Sequence, residues 1–483
     1  MKTRTRSILG AAAIGSLAAA MVWTSAPAAT AAPGDWTQLS TFSAATSLPR
    51  MSITDQPTVA RFGSDLSVIW RGQGTSGENY YTAIVGGAGN IVSPSHEIIS
   101  NWAALTGDAA LISQGGQRFL AFSGLQSTTT GAPYTSGAEY YATSADGVTY
   151  TVGAGTLSHT TTAYGSYGND VVAGDQPIWV GNAGTTSGIS WHVGISPSDP
   201  APDGSDGHFA LTGCCGYDAA GARDAATGAV YGAFFSNSSG TTEMGVQVGS
   251  IVPAGPFTQA PGSVTTNEYG TNTSSPSQRI ALVGRAGGGV YAAYSMGYPS
   301  VKAIRIWQVG TTNTLDVPAP QSSAISLAAD PSGRLWLTYI QGDKVKVVHT
   351  NKAATKLGSI GSWGIPHGQA DLWKTASSAT DGALDVVVTA SDANEKVNVF
   401  HTQALRTLSV SASPATARRG SSVTFTVTDA GDPVKSATVK FMGHSGTTNA
   451  SGKVTLSASS RGKSSATAKK SGYNSGATSV RVR

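Results

Sequence analysis

One short pattern recurs seven times between residues 57 and 388 of this 483-residue chain. Each copy has a short apolar segment, a turn that contains Gly or Asp, and a second apolar segment, and six copies hold an aromatic residue. A period of this length is typical of a fold built from one repeated supersecondary unit. Equivalent positions in successive copies lie 45 to 59 residues apart and are Trp70, Phe122, Val180, Phe235, Tyr294, Tyr339 and Val388.

The repeat length, with a hairpin at its start, predicts a β-propeller in which each unit forms one four-stranded blade. A pair of β-sandwiches or a β-helix would not place a hairpin at the same point of units this long. Only 12% of the residues are charged and 60 are Gly, which favours many short strands joined by tight turns. We predict an all-β protein with a six- or seven-bladed β-propeller over residues 33–405. The segment from Trp36 to Phe42 is the candidate for closing the ring.

The first 32 residues have the three parts of a secretory signal peptide. Lys2, Arg4 and Arg6 precede an apolar stretch at residues 8–23, and small residues with Ala-x-Ala cleavage choices follow. The apolar stretch is shorter than the roughly 20 residues that a membrane-spanning helix needs. We therefore expect an extracellular, secreted protein with no transmembrane span. Export also separates the chain from nucleic acid, and no nucleic-acid recognition motif is present.

A second, smaller domain is predicted at residues 406–483. Segments that alternate between apolar and polar residues begin there at Leu408, Ser422, Ala437 and Gly452. Alternation with a period of two is typical of strands that bury one face. The domain resembles a bacterial Ig-like β-sandwich, although it lacks the Cys and Trp pattern of antibody domains. The resemblance implies a spacer or an attachment module.

Charge is distributed unevenly between the two predicted domains. Residues 406–483 hold twelve Lys and Arg against two Asp, a net charge of +10. Residues 34–405 hold sixteen Lys and Arg against 25 acidic residues, a net charge of −9. A strongly basic domain favours an anionic partner such as a cell-envelope polymer. The alternative is that these side chains only make a small β-domain soluble, and the sequence leaves both open.

Within residues 55–405 the repeats resemble those of sialidase-type propellers, the Asp-box or BNR-repeat family. The apolar strand, the Gly turn and pairs such as Val-Tyr or Leu-Trp before a closing aromatic carry the resemblance. The segment Ser144-Ala-Asp-Gly-Val-Thr-Tyr150 resembles an Asp-box, a hairpin turn in which a Ser and an Asp bond the backbone. It lacks the residue that the family has between Asp and Gly, and Tyr150 replaces the usual Trp. A shared architecture carries no activity by itself.

Ligands of propellers usually meet the mouth of the central channel, where each innermost strand begins. The residues just before the predicted innermost strands are mostly amides, charges or aromatics, which suit sugar hydroxyls and the apolar faces of sugars. The alternative is that Asp and Asn begin strands by bonding nearby backbone groups. The predicted ligand-binding residues are Asp55, Gln56, Asp108, Asn169, Asp170, Tyr217, Gln278, Arg279, Trp373 and Lys374.

The arginines decide between two functions. The resemblance to sialidases implies three arginines that bind the substrate carboxylate, a Tyr nucleophile with a Glu partner, and an Asp acid/base. Arg61, Arg223 and Arg285 instead lie within the first hairpin of their repeats, away from the mouth, which leaves Arg279 and Arg50 as candidates. We therefore predict no catalytic residue and favour a binding protein whose propeller mouth contacts a carbohydrate or an envelope polymer. A sialidase-like glycoside hydrolase stays open as the alternative.

The two cysteines of the chain, Cys214 and Cys215, are adjacent and lie between Gly213 and Gly216. In an oxidising compartment they can form a vicinal disulfide, bridge to other molecules or stay free. We predict a vicinal disulfide, because the flanking glycines allow the tight turn that it needs. Adjacent thiols suit a metal poorly, and no cofactor is predicted. The acidic turn at residues 203–207 leaves Ca²⁺ open.

Overall fold

The computed structural model describes residues 35–41, 56–74, 77–125, 138–153, 157, 168–181, 188–194, 207–210, 216–236, 245–263, 280–297 and 300–483. These residues form strands and turns, and the predicted all-β class is confirmed. No helix among them is long and apolar enough to cross a membrane. The predicted signal peptide, residues 1–32, lies outside the described residues.

Seven sheets in the described residues, each with four propeller strands, are the blades of a β-propeller. Blades 1 to 3 are, from the innermost strand outwards, β2 (Thr58–Phe62), β3 (Asp65–Gln73), β4 (Glu78–Val85) and β5 (Ile91–Trp102); β6 (Ala104–Gln114), β7 (Gln117–Leu125), β8 (Ala138–Ser144) and β9 (Thr151–Val152); and β10 (Asn169–Val172), β11 (Ile178–Gly181), β12 (Gly188–Val193) and β13 (Gly207–Ala210).

Blades 4 to 6 follow the same order. Their strands are β14 (Gly216–Arg223), β15 (Val230–Ser236), β16 (Gly245–Val252) and β17 (Ala254–Gln259); β18 (Ala281–Gly284), β19 (Val290–Met296), β20 (Ala303–Gln308) and β21 (Thr314–Pro318); and β22 (Ser322–Ala329), β23 (Leu335–Gln341), β24 (Lys344–His349) and β25 (Gly361–Gly364). Blade 7 consists of β26 (Asp371–Ala379), β27 (Ala383–Ser391), β28 (Val397–Thr407) and β1 (Thr37–Thr41).

The first strand of the chain completes the last blade. β1 pairs antiparallel with β28, with Thr37 opposite His401 and Thr41 opposite Asn398. The innermost strands touch one another in chain order, and β26 also touches β2, so the ring is closed. The count of seven sheets resolves the choice between six and seven blades, and the segment predicted to close the ring does so.

Each blade packs both faces of its sheet against its neighbours. Between blades 1 and 2, Ile69 and Trp102 lie in one hydrophobic cluster with Phe122. A further cluster joins Leu39 of β1 to blade 1 and to Val387 of β27. Because every sheet is covered in this way, loss of one blade would expose apolar surface on two others.

An ionic cluster lies beside the closure, on the face opposite the mouth. Arg61 at the end of β2 forms an ion pair with Asp385 of β27, whose side chain is 1% exposed. The other oxygen of Asp385 accepts a hydrogen bond from Nε2 of His401 at 2.7 Å. Burial, with the charge of Arg61, lowers the pKa of His401 to about 4. The imidazole is therefore neutral at neutral pH, and blades 7 and 1 are joined by the Arg61–Asp385 pair.

Residues 409–482 form a separate β-sandwich with its own core, which includes Phe425 and Phe441. One sheet has the order β29-β31-β32 with β35 beside β31, and the other has the order β30-β38-β36-β33-β34. Membership of the Ig-like family stays a prediction. The strands are β29 (Ser409–Ser413), β30 (Thr416–Ala417), β31 (Ser422–Asp429), β32 (Asp432–Pro433), β33 (Thr438–Phe441), β34 (His444–Thr447), β35 (Lys453–Ser457), β36 (Gly462–Lys469), β37 (Tyr473–Asn474) and β38 (Gly476–Val482).

The sandwich docks on the propeller face opposite the mouth. Asp429 is completely buried there, 3.1 Å from Nη2 of Arg334 and 2.5 Å from Nε2 of His349. Asp432 pairs with the same arginine at 2.7 Å. Burial opposes the charged form of Asp429, but the bond from His349 and the charge of Arg334 hold its pKa below the usual value. β37 adds to β28 as a parallel partner, so β28 runs through the predicted domain boundary at residues 405 and 406.

Replacing Asp385 with Ala should destabilise the propeller by about 3–5 kcal/mol, because Arg61 would keep a partly buried charge without its partner. Urea denaturation followed by circular dichroism measures this loss. Asp343→Ala is the matched control, since Asp343 pairs with Lys344 on the surface with 67% of its side chain exposed. It should change the unfolding free energy by less than about 0.5 kcal/mol. Equal effects of the two substitutions would contradict a role of Asp385 in closure.

The unfolding free energy should fall as the pH drops from about 6.5 to about 4, because the unfolded chain binds a proton on His401 that the folded chain does not. The contribution of His401 to this loss should reach about 3 kcal/mol at pH 4. Denaturant titrations at several pH values should show a flatter profile for His401→Gln than for the unaltered protein. His444→Gln, at an exposed position in β34, should keep the unaltered profile. A profile that is unchanged in His401→Gln would refute the assignment.

Candidate functional site

The candidate site is the propeller mouth, the face on which the innermost strands begin. The structure describes five of the predicted ligand-binding residues with their side chains and two, Asp108 and Tyr217, through the backbone only. Those described in full are Gln56, Asn169, Asp170, Trp373 and Lys374. Outside the described residues lie Asp55, Gln278, Arg279, the predicted disulfide of Cys214 and Cys215, and residues 203–206 of the acidic turn.

Within the described chain, four innermost strands shift register near the mouth through a β-bulge or a similar irregularity, called a bulge below. The bulges lie between Thr106 and Ala110 in β6, Tyr217 and Ala219 in β14, Ser323 and Ser326 in β22, and Leu372 and Lys374 in β26. Bulges are enriched at barrel rims and beside active sites, where they re-aim a side chain or end the pairing of a strand. The predicted residues Asp108, Tyr217 and Trp373 lie at these bulges.

Two of the bulges contain a residue other than Gly in the left-handed region. Asp218 has φ 51° and Ala324 has φ 52°. This conformation costs about 1–2 kcal/mol for an L-residue, so the surrounding packing has to hold it. At Asp218 a close contact with blade 3 does this: a Cβ on Gly168 would lie 2.3 Å from the backbone nitrogen of Ala219. The sequence indicates a polar residue at Asp218 near the start of an innermost strand, but not its left-handed backbone, which depends on how β14 and β15 pair.

Asn169 and Asp170 link blades at the mouth. Asn169 is fully buried, and its amide donates to Ser123 Oγ at 2.8 Å and accepts from the indole of Trp179 at 2.9 Å. One carboxylate oxygen of Asp170 accepts the backbone N–H of Gly221 in β14 at 2.8 Å. These bonds give both side chains a structural role, in line with the alternative that polar residues here serve the backbone. A ligand-binding role for either stays a prediction.

Gln56 lies at the seam between the first and last blades. Its amide nitrogen donates to the backbone oxygen of Thr375 in β26 at 2.7 Å. This bond joins blade 1 to blade 7 on the mouth side, as the Arg61–Asp385 pair does on the other side. Gln56 therefore contributes to closing the ring.

Trp373 and Lys374 share the bulge of β26. The indole nitrogen of Trp373 donates to Ser391 Oγ at 2.8 Å, which fixes the ring, and the side chain is only partly buried. Lys374 is 2% exposed, and its backbone N–H donates to Thr389 Oγ1 at 3.1 Å. Trp373 is thus the described candidate that combines a fixed aromatic ring with exposure at the mouth.

The three arginines of the first hairpins lie on the propeller face opposite the mouth. Arg61 pairs with Asp385 of blade 7, and Arg223 lies 3.2 Å from Asp175 of blade 3. Nε of Arg285 donates to the backbone oxygen of Gly333 in blade 6 at 2.8 Å. Each therefore reaches an adjacent blade, and these three arginines do not form a carboxylate-binding triad at the mouth.

The turn after β8 contains the segment that resembles an Asp-box. Ser144 Oγ donates to Asp146 Oδ1 at 2.9 Å and accepts the N–H of Gly147 at 2.7 Å. The same carboxylate oxygen accepts the N–H groups of Thr149 and Val148, which hold the pKa of Asp146 well below its usual range. The Ser and the Asp therefore bond the backbone, on the face opposite the mouth. Assignment of this turn to the Asp-box family stays a prediction.

No metal centre is formed by the part of the chain that the structure describes. Among those residues no group of three His, Cys, Asp or Glu side chains could hold a metal ion. The turn for which Ca²⁺ was left open lies almost entirely outside them.

The sequence matches no protein-family profile, and no curated protein matches it significantly. Among solved structures, the polysaccharide lyase Uly1 has 9% identity and a TM-score of 0.42, over 72% of this chain and 89% of that chain. A Trypanosoma rangeli sialidase has 9% identity and a TM-score of 0.35, over 72% and 54%. A quinonprotein alcohol dehydrogenase-like protein from Bacteroides thetaiotaomicron has 13% identity and a TM-score of 0.39, over 64% and 66%. At TM-scores below 0.5 these likenesses carry no argument about activity.

Replacing Asn169 with Ala should lower the unfolding free energy by about 1–3 kcal/mol, because the buried Trp179 N–H loses its acceptor. Chemical denaturation with tryptophan fluorescence provides the measurement. Asn394→Ala, at an exposed turn, is the control and should stay within about 0.5 kcal/mol of the unaltered protein. An Asn169→Ala protein of unchanged stability would show that the amide does not link blades 2 and 3.

Proposed function

We propose that this protein is an exported, extracellular binding protein whose propeller mouth contacts a glycan or another envelope polymer. The C-terminal sandwich then acts as a spacer or an attachment module. The observation that carries the proposal is that four innermost strands shift register at the mouth, two of them with the left-handed residues Asp218 and Ala324. Irregular backbone of this kind persists where surrounding packing holds it, and it is enriched beside sites.

The chemistry of the mouth favours a sugar. Trp373 supplies a fixed, partly exposed ring on which an apolar sugar face can stack. In the sequence, Tyr217 and Arg279 lie near the start of the innermost strands of neighbouring blades, and we propose that they donate hydrogen bonds to hydroxyl or carboxylate groups. Cys214 and Cys215 directly precede β14, so the vicinal disulfide that we propose would lie next to Tyr217.

A hydrolase is the less favoured alternative. Arg61, Arg223 and Arg285 are all occupied on the opposite face, which removes them as a substrate-binding triad. Turnover of a sialoside would nevertheless overturn the proposal in favour of a sialidase-like enzyme.

The test is a glycan array probed with the protein from residue 33 onward. We expect saturable binding to a defined group of glycans, lost in Trp373→Ala/Arg279→Ala because stacking and a charged donor are both removed. Loss of a stacked ring and a charged hydrogen bond should together weaken binding about 100-fold. The affinity for the best glycan, measured by calorimetry, checks the size of the effect.

Arg223→Ala is the matched control, since Arg223 lies on the opposite face with 37% of its side chain exposed. It should bind as the unaltered protein does, and circular dichroism should show that all variants are folded. Absence of binding to any glycan, with turnover of a fluorogenic sialoside, is the result that contradicts a binding protein.

A further inference from the structure

Both acidic side chains of the sandwich form ion pairs with the propeller. Asp429 and Asp432 are the only acidic residues after position 406. Asp429 is buried against Arg334 and His349, and Asp432 pairs with Arg334 and accepts the backbone N–H of Lys352 at 2.9 Å. Neither carboxylate is therefore available to balance the cations on the rest of the domain.

The cations of the sandwich lie at its surface. Ten of the Lys and Arg side chains after position 406 are exposed; they are Arg418, Arg419, Lys435, Lys440, Lys453, Arg461, Lys463, Lys469, Arg481 and Arg483. Because no described acid of this domain faces them, their positive potential is not cancelled locally. An ordinary solvated surface intersperses charges of both signs.

One sheet face concentrates this charge. In the five-stranded sheet, alternate residues of β33, β36 and β38 point outwards, and the outward basic residues are Lys440, Lys463, Lys469 and Arg481. We call this outward surface the basic face. Lys463 and Lys469 are six positions apart on β36, roughly 20 Å along the strand. The residues between them that point outwards are Ser465 and Thr467.

The strand register of the basic face brings two positive charges directly opposite each other, which destabilises the sheet. Lys463 lies directly opposite Arg481 in the β36–β38 ladder. Like charges at directly opposed positions destabilise an antiparallel pair, and the side chains of Asp429 and Asp432 are bound to the propeller and do not relieve the repulsion here. Binding of an anion between these two side chains would remove the repulsion.

Two shallow clefts lie at the ends of the basic face. One, of about 590 Å³, is lined by Lys463, Arg481 and Arg483. The other, of about 720 Å³, is lined by Lys469, Lys470 and Tyr473. Basic groups therefore line both ends of the face, with small hydroxyl-bearing residues between them.

We propose that the basic face binds an anionic polysaccharide, a chain of sugars or polyols that carries regularly repeated carboxylate or phosphate groups. A repeated anion can bridge the two clefts, while Ser465, Ser479 and Thr467 offer hydroxyls to the sugar groups. The face presents no large apolar side chain for insertion into a bilayer, which argues against a lipid surface. The inference deepens the attachment role within the proposed function, and it concerns a surface separate from the mouth.

The test uses the protein from residue 33 onward and two anionic probes. Polygalacturonate supplies carboxylate groups and poly(glycerol phosphate) supplies phosphate groups, and neutral dextran is the blank. We expect binding to at least one anionic probe and none to dextran. Lys440→Gln/Lys463→Gln/Arg481→Gln should weaken that binding about tenfold or more, because three uncompensated cations are removed. The affinity should also fall as salt rises. The probe that binds identifies the anion.

The control variant Lys302→Gln/Lys344→Gln/Lys453→Gln removes the same net charge from positions off the basic face; Lys302 and Lys453 are exposed and the side chain of Lys344 is 43% exposed. It should weaken binding less than about twofold. Equal loss in the two triple variants, absence of binding to both anionic probes, or equally tight binding to duplex DNA or anionic vesicles would overturn the proposal. Trp373→Ala/Arg279→Ala should leave this binding unchanged, so a failure at the mouth and a failure here are distinguished.

Discussion

Both faces of each propeller blade pack against neighbouring blades, and the rest of the structure depends on this packing. Each sheet covers the sheets on either side, so none is stable until the ring is complete. Completion depends on residues far apart in the chain, since Thr37 pairs with His401 and Arg61 pairs with Asp385. Long-range pairing of this kind pays its loop-closure entropy before it gains contacts, so the closing blade is the part expected to form last.

The two ends of the ring carry different kinds of structure. On the face away from the mouth, Asp146, Arg223 and Arg285 bond turns of their own or adjacent blades, so side-chain bonds hold that end together. At the mouth the described innermost strands have bulges and left-handed residues such as Asp218. In the first hairpins of the described blades, the register shifts therefore lie at the mouth end and not at the end away from it.

Sequence patterns predicted the repeated hairpins, the closing segment and the strands of the sandwich, because strand periodicity and turn residues are local properties. The sequence did not determine whether there are six or seven blades. Blade 7 lacks the aromatic marker, and its outermost strand, β1, comes from the other end of the chain. Bulges were missed because they depend on which residues of two strands pair. Asn169 illustrates the limit at the site: its amide suits a sugar or a neighbouring blade equally well, and burial against Trp179 was visible only in three dimensions.

Docking also determines where the two candidate binding surfaces lie. The sandwich contacts Arg334 in the turn before β23 and His349 at the end of β24, both on the face away from the mouth. Asp429 and Asp432 of the sandwich make these contacts. Because they are its two acidic side chains, the ion pairs that dock the domain also leave the charged side chains of its outer sheet all basic. A polymer bound to the basic face would contact the sandwich only, and the sandwich lies on the face opposite the mouth. The two proposed binding surfaces therefore lie on separate parts of the molecule, and neither covers the other.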